Sequence, residues 1–253
     1  EAFHGPNGSP VAARLWVEAF AASESYGRFR AVVREASISS ECRLALVTAL
    51  CRQYGDGCCA FRKTARVLVR DYGPLLRSNN EAWAQAAHAL TRDAQYEETR
   101  RWTSDWQQRA VGEAWMLLPI ATASITCDDM HQAVALGRAA LAMPRDSSTA
   151  MFEAILAWSD SFNAATAART LGRARRLSAA PLWPLYRLMA DLAMCVAKTH
   201  ASPVMQKSRT ALQMIREADQ IWRHCEHRTA PVAQRLHSQA TKVLARHLTP
   251  PQR

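Results

Sequence analysis

Apolar residues return every three or four positions along most of this chain, and the pattern predicts a succession of amphipathic helices. Ser9-Pro10 is a good opening for the first, a capping hydroxyl followed by proline at the first helical position. Val11, Leu15, Trp16, Ala19 and Phe20 are expected to share its apolar face. Ser23 to Gly27 predicts a break, and Phe29, Val32 and Val33 a second helix. Leu44, Leu46, Val47 and Leu50 mark a third, closed by Tyr54-Gly55-Asp56-Gly57. Phe61, Ala65, Leu68 and Val69 stripe its partner, expected to end near Tyr72-Gly73-Pro74. No convincing run of alternating β-branched residues lies between turn signals, so strands have little support.

The best-phased stretch begins at Asn79-Asn80, ahead of Trp83, Ala86, Ala87 and Leu90 as an inward face. Tyr96-Glu97-Glu98-Thr99 leads a returning helix expected to run through Trp102 and Trp106. A third pair starts near Glu113-Ala114-Trp115 and returns through Met130, Ala133, Leu136 and Ala140, closing at Pro144-Arg145-Asp146-Ser147. Met151, Ile155 and Trp158 lead a further helix, partnered by Ala167, Ala168, Leu171 and Ala174. Within this stretch Leu136-Gly137-Arg138-Ala139 recurs letter for letter as Leu171-Gly172-Arg173-Ala174. That offset is about one helix-turn-helix unit of an α-solenoid.

Trp83, Ala87, Tyr96-Glu97-Glu98, Ala133, Ala140 and Pro144 resemble the tetratricopeptide repeat pattern: a tryptophan-led first helix, small residues at helix crossings, an aromatic-acidic-acidic step and a proline exit. The resemblance is clearest over 80–175. It implies an all-α solenoid of antiparallel helix pairs whose first helices line a concave surface. Glu81, Ala84, His88, Thr91 and Arg92 would then face the groove from one repeat, and Met116 and Ile120 (with Ala123) from the next. These do not match the Lys/Asn clamp with which some family members hold a chaperone's C-terminal carboxylate. Thr99 departs from the usual alanine and Trp106 from a usual small residue, while Pro119 should kink or restart its helix. Degenerate, irregularly stacked repeats are the expectation.

The domain reading is a flexible lead-in at 1–9, N-terminal helices at 10–38, repeats at 39–178, C-terminal helices capping the solenoid at 179–248, and a frayed tail at 249–253. Prolines 181, 184, 203 and 231 punctuate the C-terminal part, and its last helix could keep the final apolar face from water.

Charge alters the picture of the partner. The chain of 253 residues carries a net +10, with arginine far outnumbering lysine. An always-charged planar fork suits carboxylate or phosphate, so acidic partners are expected. Basic runs at Arg169, Arg173, Arg175 and Arg176, at Arg209, Arg216 and Arg223, and at Arg228, Arg235, Lys242 and Arg246 read as solvated helix faces. As a phosphate-binding stripe they would support an alternative, nucleic-acid binding. Arg100 and Arg101 adjoin Trp102 and Trp106, making these the tryptophans most suited to contact a partner. Tryptophans at helical spacing otherwise read as core.

Signatures of catalysis are missing: no G-x-S-x-G, P-loop, G-x-G-x-x-G or H-E-x-x-H occurs. Seven cysteines without a C-x-x-C pair argue against a disulfide framework or zinc ribbon. Cys58-Cys59 reads as packing ahead of a redox pair. Cys127-Asp128-Asp129 reads as a helix cap ahead of an acid-base or metal site. His224-Cys225-Glu226-His227, with His237, reads as an exposed basic helix end ahead of a zinc site. No cofactor or metal is expected. Without a signal peptide at 1–10 or an uncharged run of 18 apolar residues, the expectation is a cytoplasmic, non-catalytic scaffold. It would hold a protein or peptide, a reading compatible with a regulatory segment of a larger protein, with no membrane partner.

Overall fold

A computed structural model describes residues 10–56, 65–127, 129–145 and 148–159, together with Arg223, Gln234, His237, Ser238, Thr241 and Lys242. Among the described residues the chain is helical throughout, with no strand. The helices are α1 (Pro10–Ser23), α2 (Tyr26–Arg34), α3 (Ser40–Asp56), α4 (Ala65–Arg77), α5 (Asn80–Arg92), α6 (Tyr96–Trp102), α7 (Leu118–Thr126), α8 (Met130–Leu141) and α9 (Thr149–Ser159). None is long and apolar enough to cross a membrane. The chain divides into two compact units, Glu1–Gly112 with Met116–Cys127, and Glu113–Trp115 with Asp128–Arg253.

In the first unit the odd-numbered helices pack on one another: α1 on α3, α3 on α5, and α5 on α7. Helices α4 and α6 fill in beside α5. The broadest contact, α3 with α5, depends on Gly55. A Cβ there would sit 2.6 Å from Nδ1 of His88, so only glycine lets the imidazole lie against the α3 backbone. With neighbours on several sides, α5 is buried almost all round, from Ala82 to Ala87 and again from Ala89 to Thr91. Its alanines are what make that possible, because small side chains bring helices close on every face.

Local chemistry sets the boundaries. Ser25 caps α2 by accepting from Arg28 N, and Asn79 caps α5 by accepting from Ala82 N. Asp93 Oδ2 accepts from Ala65 N at 3.0 Å, giving α4 a cap from a distant loop. Burial of that carboxyl raises its pKa, and the Ala65 hydrogen bond partly offsets the effect.

Three expectations change, and Pro119 restarts its helix as expected. The α1 core face is Ala13, Val17 and Ala21, with Trp16 and Phe20 half-buried; Val11 and Leu15 are 69% and 62% exposed. Alanine sits in the tight contact and leaves the larger aliphatics outside. Helix α4 does not stop at Tyr72 but kinks there (φ −128°, ψ 16°) and runs on past Pro74, whose ring and missing N–H break the regular ladder. Helix α6 ends at Trp102, and Trp106 belongs to a separate 3₁₀ turn, Trp106–Gln108. Pro119 falls in the first turn of α7, after a 3₁₀ turn at Ala114–Leu117, where its lost N–H costs nothing.

In the second unit Asp129 caps α8 by accepting from Gln132 N at 3.0 Å. Helix α8 packs on α9 through Gly137, where a Cβ would come within 3.2 Å of Leu156. Gly137 of the first LGRA copy is thus a close-approach residue, with Leu136 buried beside it and Arg138 exposed. The second copy, the helix partnering α9, the 1–9 lead-in and nearly all of 160–253 lie outside the described residues.

Candidate partner-binding site

Of the arginines and tryptophans expected to form a contact surface, Trp102 is internal, Arg100 and Trp106 are half-buried and Arg101 is exposed. Trp83 (α5) and Trp102 (α6) are 0% and 7% exposed. Each indole reaches the other's backbone: Trp102 Nε1 donates to Trp83 O at 2.9 Å, and Trp83 Nε1 to Trp102 O at 3.4 Å. Arg77 stacks over the Trp102 ring at 4.2 Å and donates to Trp102 O at 3.1 Å. Arg109 lies 4.9 Å over Trp83. Asp105 joins the two arginines, 3.1 Å from Arg77 and 2.8 Å from Arg109. Burial opposes ionisation of Asp105, but the Arg109 hydrogen bond and charge, reinforced by Arg77, hold its carboxyl below the usual aspartate range. Asn80 completes the knot, accepting from Arg109 and donating to Ala110 O. Both guanidinium stacks are already filled by tryptophan and aspartate. The knot ties the ends of α4 and α6 to the start of α5.

The residues expected to line a groove are dispersed by burial. Ala84 and Ile120 are 0% exposed, Thr91 2% and Met116 9%, so these four belong to the interior. The physical reason is that α5 is packed by α3, α4, α6 and α7, and α7 carries no charged residue, so these positions face neighbouring helices instead of an open surface. Thr91 meets its polar need inside, donating to Ala87 O at 2.8 Å and lying 3.3 Å from Thr99 Oγ1. His88 is half-buried against Gly55. Trp106 and Arg100 are half-buried, and Arg100 lies 3.7 Å from Glu97. Of these residues Glu81, Arg92 and Arg101 are exposed.

An open site is present where the sequence did not direct attention. A cleft of about 270 Å³ lies along α1, α3 and the start of α5. Leu44, Ala45 and Ala49 give it an apolar floor, Thr48 and Asn79 add polar groups, and Arg14, Arg52, Glu41 and Glu81 supply charge of both signs. Arg52 and Glu81 face each other at 3.9 Å, and Arg14 pairs with Glu18 at 2.9 Å. Exposed Val11 and Leu15 stand on either side of Arg14 along α1. Of the groove residues read from sequence, Glu81 alone lines this cleft. The missed signal was the spacing Glu41, Ala45, Thr48, Arg52, a polar and small stripe at helical period along α3.

Nucleophile chemistry is not prepared at Cys127, the one partly open thiol among the described residues. Burial first, and then the hydrogen bond and charge of Glu97, push the Cys127 thiol up to about 11, with Arg100 opposing, so the thiolate is suppressed. Among the described residues no cluster of three or more His, Cys, Asp or Glu could hold a metal ion. Cys58, Cys59, Asp128 and the His224–His227 cluster lie outside the described residues.

No protein-family model, curated protein or solved structure matches this chain. The tetratricopeptide likeness therefore rests on the residue pattern alone.

Proposed function

We propose that this protein is a non-catalytic helical interaction module that holds a peptide segment of a partner protein in the cleft along α1 and α3. The observation that carries the reading is the cleft itself: an apolar floor with charged groups of both signs at its edge, beside two exposed aliphatic side chains. Peptide-binding helical surfaces combine pockets for apolar anchors with polar groups that fix orientation. The occupant that fits is an amphipathic segment with an aliphatic anchor and at least one carboxylate. Arg14 and Arg52 would meet the carboxylate, and the net charge of +10 favours acidic partners on approach.

The packing of α1 on α3, α3 on α5 and α5 on α7 supports a solenoid-like order of helix pairs within the first unit, as the tetratricopeptide resemblance implies. In this reading the docking surface is the α1–α3 flank, because α5 and α7 are enclosed.

Selection of a random peptide library on the full chain, with affinities of recovered peptides measured on variants, tests the proposal. Leu15→Ser and Arg52→Glu should each weaken a recovered peptide about tenfold or more, as hot-spot losses do. Peptides whose affinity survives both substitutions would remove the cleft from consideration. The nucleic-acid alternative rests on the basic composition. Of its arginine-rich runs, Arg223 and Lys242 are the described positions, and both are exposed. A salt series with short RNA and DNA decides it: affinity retained at physiological salt supports that reading, and negligible affinity removes it.

A further inference from the structure

Away from the cleft, α2 and the kink of α4 bring together an imbalance of charge around a buried hydroxyl. Tyr26, Arg30 and Arg34 recur at every fourth residue of α2, forming one stripe. Arg70, Asp71 and Tyr72 meet them from α4, at the point where the helix is bent. Asp71, with a side chain only 9% exposed, is the shared anion. Its Oδ2 accepts from Tyr26 Oη at 3.3 Å and lies 3.3 Å from Arg30 Nε, and its Oδ1 is 3.5 Å from Arg70. One carboxylate thus serves two guanidinium groups and a phenol. Arg34 makes no ion pair with any carboxylate among the described residues.

Two donors in the group remain unmet. Tyr72 is 7% exposed, and its hydroxyl is buried without a hydrogen-bond partner. Arg30 Nε, although near Asp71, also lacks a hydrogen bond of acceptable geometry. A buried donor left unmet costs free energy, which an acceptor entering the group would recover. The Tyr72 hydroxyl stays protonated, because burial raises its pKa more than the charges of Arg34 and Arg30 lower it.

We propose that the α2 stripe and the α4 kink form a binding site for a tetrahedral oxyanion of the phosphate class. Arg30, Arg34 and Tyr72 would be the donors, and Arg70 would add charge at the rim. Three donors favour a four-oxygen anion over a planar carboxylate, which has only two oxygens to share among them. Arg34, exposed and without a carboxylate partner, is the arm that closes over the ligand. Asp71 holds Arg30 and Arg70 in place.

Calorimetric titration of the full chain with inorganic phosphate, with sulfate and acetate as parallel arms at matched ionic strength, provides the test. Saturable binding of phosphate and sulfate with little response to acetate is expected. Arg34→Gln should weaken phosphate about tenfold, the loss of one charged hydrogen bond. Arg92→Gln removes the same charge from an exposed arginine elsewhere and should leave binding unchanged. Tyr72→Phe should also weaken it, with circular dichroism confirming that both site variants remain helical. Equal losses in Arg34→Gln and Arg92→Gln, or an acetate response matching phosphate, would reduce the effect to net charge and overturn the site. Absence of saturable phosphate binding would overturn it as well, leaving water to fill the space.

Discussion

The tryptophan knot and the α1–α3 cleft are both built from arginines, carboxylates and apolar surface, yet they are organised oppositely. In the knot, Arg77 and Arg109 are held by rings, backbone oxygens and Asp105, and Trp83 is wholly buried. In the cleft, Arg14 and Arg52 sit in loose or solvent-exposed pairs, and on the same α1 helix Val11 and Leu15 have little cover. Arginine beside tryptophan is therefore a poor guide to a binding surface unless the guanidinium is left with unused donors. In this chain the same composition makes a structural rivet at one end of α5 and an open edge beside the other residues that flank its start.

If that contrast is right, breaking the knot should damage stability and breaking the cleft edge should not. Trp102→Ala should have the largest effect, about 3–5 kcal/mol in urea unfolding, because a large buried ring, its hydrogen bond to Trp83 O and the surface on which Arg77 stacks disappear together. A loss below 1 kcal/mol would mean the knot is dispensable. Asp105→Asn comes next, with about 1.5–3 kcal/mol from weakened charged hydrogen bonds. It also carries a pH signature. The folded carboxyl titrates below the 3.8 of an ordinary aspartate, so its contribution is complete above that value and is lost as pH falls through the lower folded one. Acid unfolding of the parent should accordingly narrow the difference from Asp105→Asn; a constant difference across pH 2–6 would count against the assignment.

Gly55→Ala tests the close approach of α3 and α5 and should cost about 1–3 kcal/mol as the His88 ring is forced aside. Pairing it with His88→Ala should recover part of the loss, and a double mutant with strictly additive effects would deny the contact. Smallest in stability is Leu15→Ser, expected within about 0.5 kcal/mol of the parent since that side chain is already in solvent. Its effect should fall on peptide affinity instead.

Much of the helical order could be read from the chain. The caps at Asn79 and Asp129, the break before Tyr26 and the restart at Pro119 follow from local chemistry acting within a few residues. What failed was the choice of outer and inner faces. On α1, period alone could not tell whether alanine or leucine packs inward, and the tight α1–α3 contact selects alanine. On α5, the resemblance placed Ala84 and Thr91 on an open surface, whereas the absence of polar residues between Glu81 and His88 other than Gln85 was the sign of an enclosed helix. The cleft went unnoticed because its lining comes from three helices, and no single segment carries the pattern.

The central claim is that the α1–α3 cleft receives a partner's peptide. An isotope-labelled sample titrated with a library-selected peptide, followed by amide chemical-shift mapping, addresses it most directly. The account predicts shifts concentrated at residues 11–15, 41–52 and 79–81, with Trp83, Trp102 and Asp105 little changed. Shifts centred on the knot or elsewhere in the chain, or a selection that yields no peptide able to move the cleft resonances, would contradict it.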